Sequence, residues 1–215
     1  MSTLTSYSSP ENKDYDRILA TTERGRYFVL DYDAGENVLT TVCKGSVKDP
    51  IGSSPYNGPI SLTLSTPHPL TLPHVYSGYL KVYPHTPTGS LNEENSWTAR
   101  MDEPDGVIDM CALNENDPSK KPGLAVLYKD HRDRYFLKTY TIDASAKSLT
   151  PGPWDKHLVE AGSTHLISSP NMCQNGVLIV GRKSVTYHNG ITTKAVPMMN
   201  NEMTCWGNVG DEGNR

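Results

Sequence analysis

The chain has 215 residues, of which 36% are hydrophobic and 20% charged, and its formal net charge is −4. That length allows one domain with a substantial core, and the lack of any basic block argues against direct DNA or RNA binding by this chain alone, because phosphate neutralisation supplies most of such affinity. No apolar run reaches the length of a membrane span and residues 1–17 lack the apolar segment of a signal peptide, so we expect a soluble, intracellular protein.

Glycine and proline are spread along the whole chain, with 17 Gly and 16 Pro. Because both residues disfavour helix interiors, long helices have few places to form. β-branched and aromatic residues recur in every part of the sequence, which predicts short strands separated by turns rather than disorder. The composition therefore favours an all-β fold.

Four hairpins of one kind follow one another along the chain. In each, an almost continuously apolar strand leads through a tight turn into a strand of alternating character. The strand pairs are RILATT with RYFVLDYD, LTLPHVY with YLKVYPH, GLAVLYKD with RYFLKTYTID, and GVLIV with SVTYH. Their turns are predicted at residues 23–25, 77–78, 131–133 and 181–183.

Further short strands are predicted between the hairpins: NVLTTVCK and GPISLTL, SWTARM and GVIDMCAL, KHLVEA and STHLISS, and ITTKAVP and EMTCWGN. Four strands per unit, in units of roughly 40 to 55 residues, are typical of β-propeller blades. Blades stacked around an axis cover each other's apolar faces, which a single sheet cannot do. We therefore predict a partial β-propeller over residues 15–215 after a flexible segment at 1–14, with about three complete blades and an incomplete blade at each end.

The histidines do not form a predicted metal site. His68, His74 and His85 lie close in sequence, but their spacing is irregular and matches no zinc motif, so we expect exposed or hairpin histidines. His188 is expected to be a hydrogen-bonded structural residue that fixes a turn. No nucleophile elbow, phosphate loop or dinucleotide motif is present, and the sequence predicts no catalytic, cofactor-binding or metal-binding residue.

Two other groups of residues have structural interpretations. The charged run from Asp130 to Arg134 lies at a predicted hairpin tip, where we expect solvated side chains with ordinary pKa values. The strand aromatics are expected to pack between blades beside extended basic side chains, rather than to stack on nucleic-acid bases; they are Tyr27, Tyr79, Tyr83, Tyr135 and Tyr140. Trp154 is expected to pack a loop onto a blade edge.

The four cysteines lie far apart and form no CxxC pair, so a disulfide framework is not expected. Three of them, Cys43, Cys111 and Cys205, stand next to apolar residues and are interpreted as small hydrophobic side chains. Cys173 is interpreted as a loop residue.

Four stretches carry a resemblance to a known family: YSGYLKVYP (76–84), KTYTID (138–143), PGPWDKHLVE (151–160) and GVLIVGRKSVTYHNG (176–190). They resemble, in order and spacing, the first β-propeller of the family that includes the large subunit of the damaged-DNA-binding protein. In that family a GPW segment precedes a hairpin ending in TYHxG, as 152–154 and 184–190 do here. The large subunits of the cleavage-and-polyadenylation factor and of splicing factor 3b have weaker versions of these features.

The resemblance implies a non-enzymatic scaffold, part of an adaptor of cullin-4 ubiquitin ligases that recruits WD-repeat substrate receptors for DNA repair and protein ubiquitination. It implies a nuclear protein, also found in the cytoplasm, that meets DNA through a partner and does not contact membranes. Family members are several times longer, and their second propeller, absent here, engages the cullin. The sequence assigns no residue to partner binding, and we expect the natural gene product to be longer than this chain.

Two other functions remain open at this stage. A scaffold of RNA 3′-end processing or splicing would share the propeller plan, and the partners that co-purify distinguish it from the ligase adaptor. A small propeller enzyme would need carboxylates or histidines clustered at the ring centre, and the sequence shows none with a suitable alternation.

Overall fold

The computed structural model describes residues 3–8, 16–22, 25–47, 61–64, 69–76, 78–102, 106–113, 121–169 and 176–198. These residues form β-strands and turns with no helix, so none of them belongs to a helix that could cross a membrane. The strands are β1 (Thr3–Ser8), β2 (Asp16–Thr21), β3 (Arg26–Asp33), β4 (Val38–Ser46), β5 (Ser61–Leu64), β6 (Leu70–Tyr76), β7 (Tyr79–Pro84), β8 (Trp97–Arg100), β9 (Gly106–Leu113), β10 (Gly123–Lys129), β11 (Tyr135–Asp143), β12 (Ser148–Pro151), β13 (His157–Leu158), β14 (His165–Ser169), β15 (Gly176–Val180), β16 (Ser184–His188) and β17 (Thr193–Pro197).

The strands form four antiparallel sheets, each with its strands in chain order. Sheet 1 contains β1 to β4, sheet 2 contains β5 to β8, sheet 3 contains β9 to β12, and sheet 4 contains β14 to β17. The short strand β13 pairs with the first half of β11 and so extends the outer edge of sheet 3. The first strand of each sheet contacts the first strand of the next, which is how the blades of a β-propeller meet around their axis. The predicted all-β partial propeller is confirmed.

Each pair of neighbouring sheets encloses its own apolar core. Leu19, Val29 and Tyr83 belong to the core between sheets 1 and 2. A second core lies between sheets 2 and 3, and a third, which includes Leu127 and Ile179, lies between sheets 3 and 4. Because successive side chains on a strand point to opposite faces, a strand in the middle of a blade can serve two cores. That is why the predicted hairpins begin with nearly continuous apolar strands.

The same backbone contact ties the end of three sheets to a hairpin turn. The residue that follows the outer strand donates its N–H to the turn between the second and third strands. Val47 donates to the Gly25 carbonyl at 2.6 Å, Met101 to Gly78 at 2.6 Å, and Met198 to Lys183 at 2.7 Å. The repetition of this contact shows that the blades share one local plan as well as one topology.

The structure differs from the sequence prediction in the number of complete blades. It contains four complete four-stranded sheets, not three with a fragment at each end. The additional strand at the start is β1, which pairs with β2 from Thr3↔Thr21 to Ser8↔Asp16 and lies inside the segment 1–14 that was predicted to be flexible. Its sequence, TLTSYS, is rich in Ser and Thr and has no apolar alternation, so pairing with β2, not hydrophobic patterning, defines it as a strand.

The outer edge of sheet 3 also differs from the prediction. The segment KHLVEA was expected to supply the fourth strand, but β12 occupies most of that position and KHLVEA supplies only the two-residue β13. The strand candidate EMTCWGN lies outside the described residues.

Candidate functional site

The two segments that carry most of the family resemblance meet at the junction of sheets 3 and 4. Trp154, just beyond β12, contacts His188 at the end of β16 edge to face, with ring centroids 5.4 Å apart. His157 of β13 stacks on the same histidine at 4.3 Å. We call Trp154, His157, His188 and Gly190 the blade junction. The expectation that Trp154 packs a loop onto a blade edge is confirmed, and the edge belongs to the following blade.

The contact with Trp154 requires a glycine at position 190. Its φ is +87°, and a Cβ placed there would lie 2.3 Å from Cδ1 of Trp154. Any other residue would therefore meet both a strained backbone and the indole ring. Packing thus explains why GPW and TYHNG occur together in the sequence, because the Trp154 ring occupies the space that a side chain at position 190 would fill.

His188 is a structural residue, as expected. Its Nδ1 lies 2.9 Å from Oγ1 of Thr193 on β17, and the side chain is 5% exposed. Burial, together with the neighbouring His157, lowers its pKa to about 4. The imidazole is therefore neutral near pH 7 and poorly matched to acid–base catalysis at that pH.

Glu160 ties the linker between the two sheets to the turn of the last hairpin. Its Oε1 accepts the Lys183 backbone N–H at 2.7 Å, and its Oε2 accepts the Ser184 hydroxyl, also at 2.7 Å. The Ser163 hydroxyl in turn donates to the Glu160 carbonyl. This role was not predicted, because Glu160 lies in a segment predicted to be a strand and a carboxylate that caps a turn 23 residues away leaves no local pattern in the sequence.

A second carboxylate joins the inner strands of the same two sheets. Asp109 on β9 accepts the Leu166 N–H of β14 at Oδ2, at 2.7 Å, and the Met110 N–H at Oδ1. Burial raises its pKa, while these hydrogen bonds act in the opposite direction. The sequence analysis did not select Asp109, although an isolated acid inside the apolar run GVIDMCAL was a usable signal, since buried carboxylates require partners.

Two of the three histidines that were expected to be exposed or in hairpins lie in or directly after the hairpin of β6 and β7, and neither is exposed. His74 on β6 is fully buried, and His85 is half-buried, with Nε2 2.8 Å from Oγ1 of Thr71 and its ring 4.7 Å from that of Tyr7. Burial, and then the nearby Arg17 guanidinium, lower the pKa of His85 to about 4. Both lie in the segments LTLPHVY and YLKVYPH, which were predicted as the strands of this hairpin, so their position was predicted and their burial was not. His68 lies outside the described residues.

The hairpin tip of sheet 3 is also more ordered than predicted. Asp130 is only 9% exposed and accepts the backbone N–H groups of Arg132 and Arg134 together with the Arg134 guanidinium, at 2.7 to 3.0 Å. Burial raises the pKa of this carboxyl, but the hydrogen bonds outweigh it, and the pKa falls to about 2. The expectation of a solvated carboxylate with an ordinary pKa was wrong, because the turn folds its own donors onto Asp130.

Of the five strand tyrosines predicted to pack between blades, Tyr27, Tyr83 and Tyr140 are buried in the cores between sheets, whereas Tyr79 and Tyr135 are only half-buried. The rings of Tyr27 in sheet 1 and Tyr83 in sheet 2 are 5.6 Å apart. The Tyr140 hydroxyl donates to the Asp102 carbonyl at 2.8 Å, and the Lys138 ammonium lies 5.5 Å from the centre of the Tyr140 ring. These aromatics contribute buried contact area and do not form an exposed stacking surface.

Among the described residues, no group of three or more His, Cys, Asp or Glu side chains is arranged to hold a metal ion. Cys111 is buried, as expected of a small hydrophobic residue, Cys43 is half-buried, and both are free thiols. Cys173 and Cys205 lie outside the described residues. The junction of sheets 3 and 4 is thus held together by one aromatic cluster and two carboxylates.

Comparison with known families identifies the propeller type. Residues 2–209 match the family model described as the RSE1/DDB1/CPSF1 first beta-propeller. The match covers all four sheets and includes the residues of the blade junction.

Individual relatives agree with this match. The chain is 32% identical over 207 residues to DNA damage-binding proteins 1b and 1a of Arabidopsis thaliana, and 31% identical to DNA damage-binding protein 1 of Oryza sativa subsp. japonica. Each alignment covers 96% of this chain and 18% of the relative. The chain therefore spans less than a fifth of the length of these relatives.

Proposed function

The chain belongs to the RSE1/DDB1/CPSF1 first-propeller family, and from that membership we propose that it is a non-enzymatic protein-interaction scaffold. Specifically, it serves as part of a DNA-damage-binding adaptor of a cullin-4 ubiquitin ligase. It recruits WD-repeat substrate receptors for DNA repair and protein ubiquitination, in the nucleus and also in the cytoplasm. It meets DNA through a partner and contacts the cullin only through parts of the adaptor beyond this chain.

One observation carries the proposal: the similarity to proteins named DNA damage-binding protein 1 extends over 96% of the chain. The structure supports the scaffold role, because the side-chain clusters described above hold sheets together and His188 of the blade junction is neutral near pH 7. Recognition would then depend on surface contacts, with a few anchor residues supplying most of the affinity.

Affinity purification of a tagged form of the protein that contains this sequence tests the proposal. We expect cullin and RING-finger subunits together with WD-repeat receptors to co-purify, as identified by mass spectrometry. An unrelated propeller with the same tag is the control for non-specific capture. Recovery of the tagged protein without any ligase subunit would refute the adaptor role.

The same purification tests the alternative, a scaffold of RNA 3′-end processing or splicing. The family description favours keeping this alternative, since it joins three kinds of propeller protein under one model. Enrichment of splicing or polyadenylation factors in place of ligase subunits would establish it.

A further inference from the structure

The outer strand of sheet 1 differs from the outer strands of the other sheets. β4 has nine residues, contains no proline, and its one charged residue is Lys44. By contrast, β8 and β12 have four residues each and β17 has five, and both β12 and β17 end in a proline. Short strands, charged side chains and prolines are the means by which natural proteins prevent further strands from pairing with a sheet edge. Among the outer strands that the structure describes, β4 is therefore the least protected.

The position of β4 leaves one side of its backbone at the edge of sheet 1. The strand order is β1-β2-β3-β4, and β3 is the one described strand that pairs with β4. In an antiparallel sheet, alternate residues of an edge strand direct their N–H and C=O groups away from the neighbouring strand. Such groups can form a ladder of hydrogen bonds with a further strand.

Exposed apolar side chains lie at the same edge. Leu39 is 56% exposed and Val38 is 48% exposed. Tyr32 of β3 lies directly opposite Leu39 in the register and is 43% exposed. Three of the seven large hydrophobic side chains that are exposed in the described part of the chain are therefore at this edge. A strand that paired with β4 would remove apolar surface from water as well as form hydrogen bonds.

The two ends of β4 carry opposite charges. Asp33 and Glu36, in the turn region before β4, are exposed. At the other end Lys44 is exposed, as is Arg26, which pairs with Ser46 in the register. If two copies of β4 were related by a two-fold axis and ran antiparallel, the acidic end of each would lie beside the basic end of the other. A parallel arrangement would bring like charges together, which is destabilising.

We propose that β4 pairs antiparallel with β4 of a second copy of this chain, so that two copies of sheet 1 form one eight-stranded sheet. The charge pattern favours a second copy as the occupant of this edge, because the edge is its own complement in that orientation. One pair of nine-residue strands is a small interface, so we expect a weak dimer with a dissociation constant of about 10 μM. Dimer formation does not depend on the adaptor function proposed above.

Sedimentation velocity on the full chain tests the proposal. We expect mostly monomer at about 1 μM and mostly dimer at about 100 μM. A reducing agent is present throughout, because Cys43 of β4 is a free thiol that could link two copies by a disulfide. At the higher concentration, amide hydrogen exchange should slow in β4 and stay unchanged in the outer strands β8, β12 and β17, because the new hydrogen bonds form at one edge.

Charge-reversal variants test the antiparallel orientation. Arg26→Glu with Lys44→Glu makes both ends of β4 acidic, and should weaken the dimer about tenfold at about 0.1 M salt. The loss should shrink at about 1 M salt, where the Debye length is about threefold shorter. The matched control is Lys183→Glu with Lys194→Glu, which changes the net charge equally on sheet 4 and should leave the dissociation constant within about twofold of wild type.

A second pair of variants tests the strand itself. Leu39→Lys with Thr41→Lys removes an apolar contact and places like charges on both copies of β4, so the dissociation constant should rise more than about tenfold. Ile191→Lys with Val196→Lys is the control, since it adds the same charges in sheet 4 at side chains that are 93% and 67% exposed. Unchanged urea unfolding midpoints show that all of these variants fold.

The outcomes separate the dimer from the adaptor function. Monomeric chain at every concentration would overturn the proposal and leave the β4 edge to a strand of another protein. A dimer that the β4 variants and their controls weaken equally would also overturn it, because the copies would then associate through other surfaces. If the dimer forms through β4 while ligase subunits fail to co-purify, the strand pairing stands and the adaptor function falls.

Discussion

At the scale of single residues, two glycines with similar backbone conformations have very different surroundings. Gly25 has φ +68° and nothing within 4 Å of an added Cβ, whereas Gly190 has φ +87° and the Trp154 ring at 2.3 Å. The left-handed conformation alone costs a non-glycine residue about 1 kcal/mol. The additional cost at Gly190 depends on how far the indole can shift.

We therefore expect Gly190→Ala to lower the free energy of unfolding by about 3 kcal/mol and Gly25→Ala to lower it by about 1 kcal/mol. Urea denaturation of the two variants and the wild type measures both losses. Equal losses would mean that the contact with Trp154 has no energetic consequence and that only the backbone conformation matters.

The lowered pKa of His188 predicts that the free energy of unfolding depends on pH. Its folded pKa of about 4 is below the ordinary value of 6.5, so the unfolded chain binds more protons between these values. The contribution to stability is therefore fully present above pH 6.5 and is lost as the pH falls toward 4. Allowing for solvent screening, we expect His188 to account for a loss of about 1 kcal/mol between pH 7 and pH 5.

His188→Gln removes this titration and keeps a polar partner for Thr193. The variant should lose less stability than the wild type between pH 7 and pH 5, although some pH dependence remains, because His85 has a similarly lowered pKa. Guanidinium denaturation at a series of pH values measures the difference. Parallel curves for the two proteins would show that His188 does not titrate differently on folding.

At the scale of strands and turns, local chemistry made the four hairpins predictable. Each combines an apolar strand with a turn whose positive-φ residue the sequence marks: Gly25, Gly78 and Asp133 in the first three. The strands β1 and β12 were not predicted. TLTSYS and SLTP are short and mostly polar, and their backbones are ordered by pairing with β2 and β11, which the segments themselves do not encode.

The site was predictable to a smaller extent. Resemblance identified GPW and TYHNG as related segments, but not that Trp154 and Gly190 touch, because 35 residues of chain lie between them. Asp130 illustrates a second limit. A DHRDR run at a turn suggests solvated charge, and only the turn geometry shows that four donor nitrogens converge on one carboxylate.

At the scale of the whole molecule, the sheets form a series in which each contacts its neighbours. Strand β10, in the middle of sheet 3, contributes side chains to the cores on both sides of its sheet. On β10, Leu124 belongs to the core shared with sheet 2, and Leu127 belongs to the core shared with sheet 4. Both side chains are 0% exposed, so the two positions differ mainly in which interface they fill.

Leu124→Ala and Leu127→Ala are consequently a matched pair. Each should lower the free energy of unfolding by about 2 to 5 kcal/mol, since each leaves a cavity in a close-packed interface. Amide hydrogen exchange should separate them. Leu127→Ala should increase exchange in β14 and β15 of sheet 4, and Leu124→Ala should do so in β6 and β7 of sheet 2, because a cavity first weakens the sheet that faces it.

The distribution of amide exchange among the sheets shows whether the blades unfold separately or as one unit. Selective loss of protection in the facing sheet means that blades open one at a time, so a partner bound to one sheet would stabilise that sheet and its neighbours without stabilising the others. Uniform loss in all four sheets for both variants would contradict this and show that the blades unfold as one cooperative unit. In that case a partner bound at any one sheet would stabilise every blade equally through mass action.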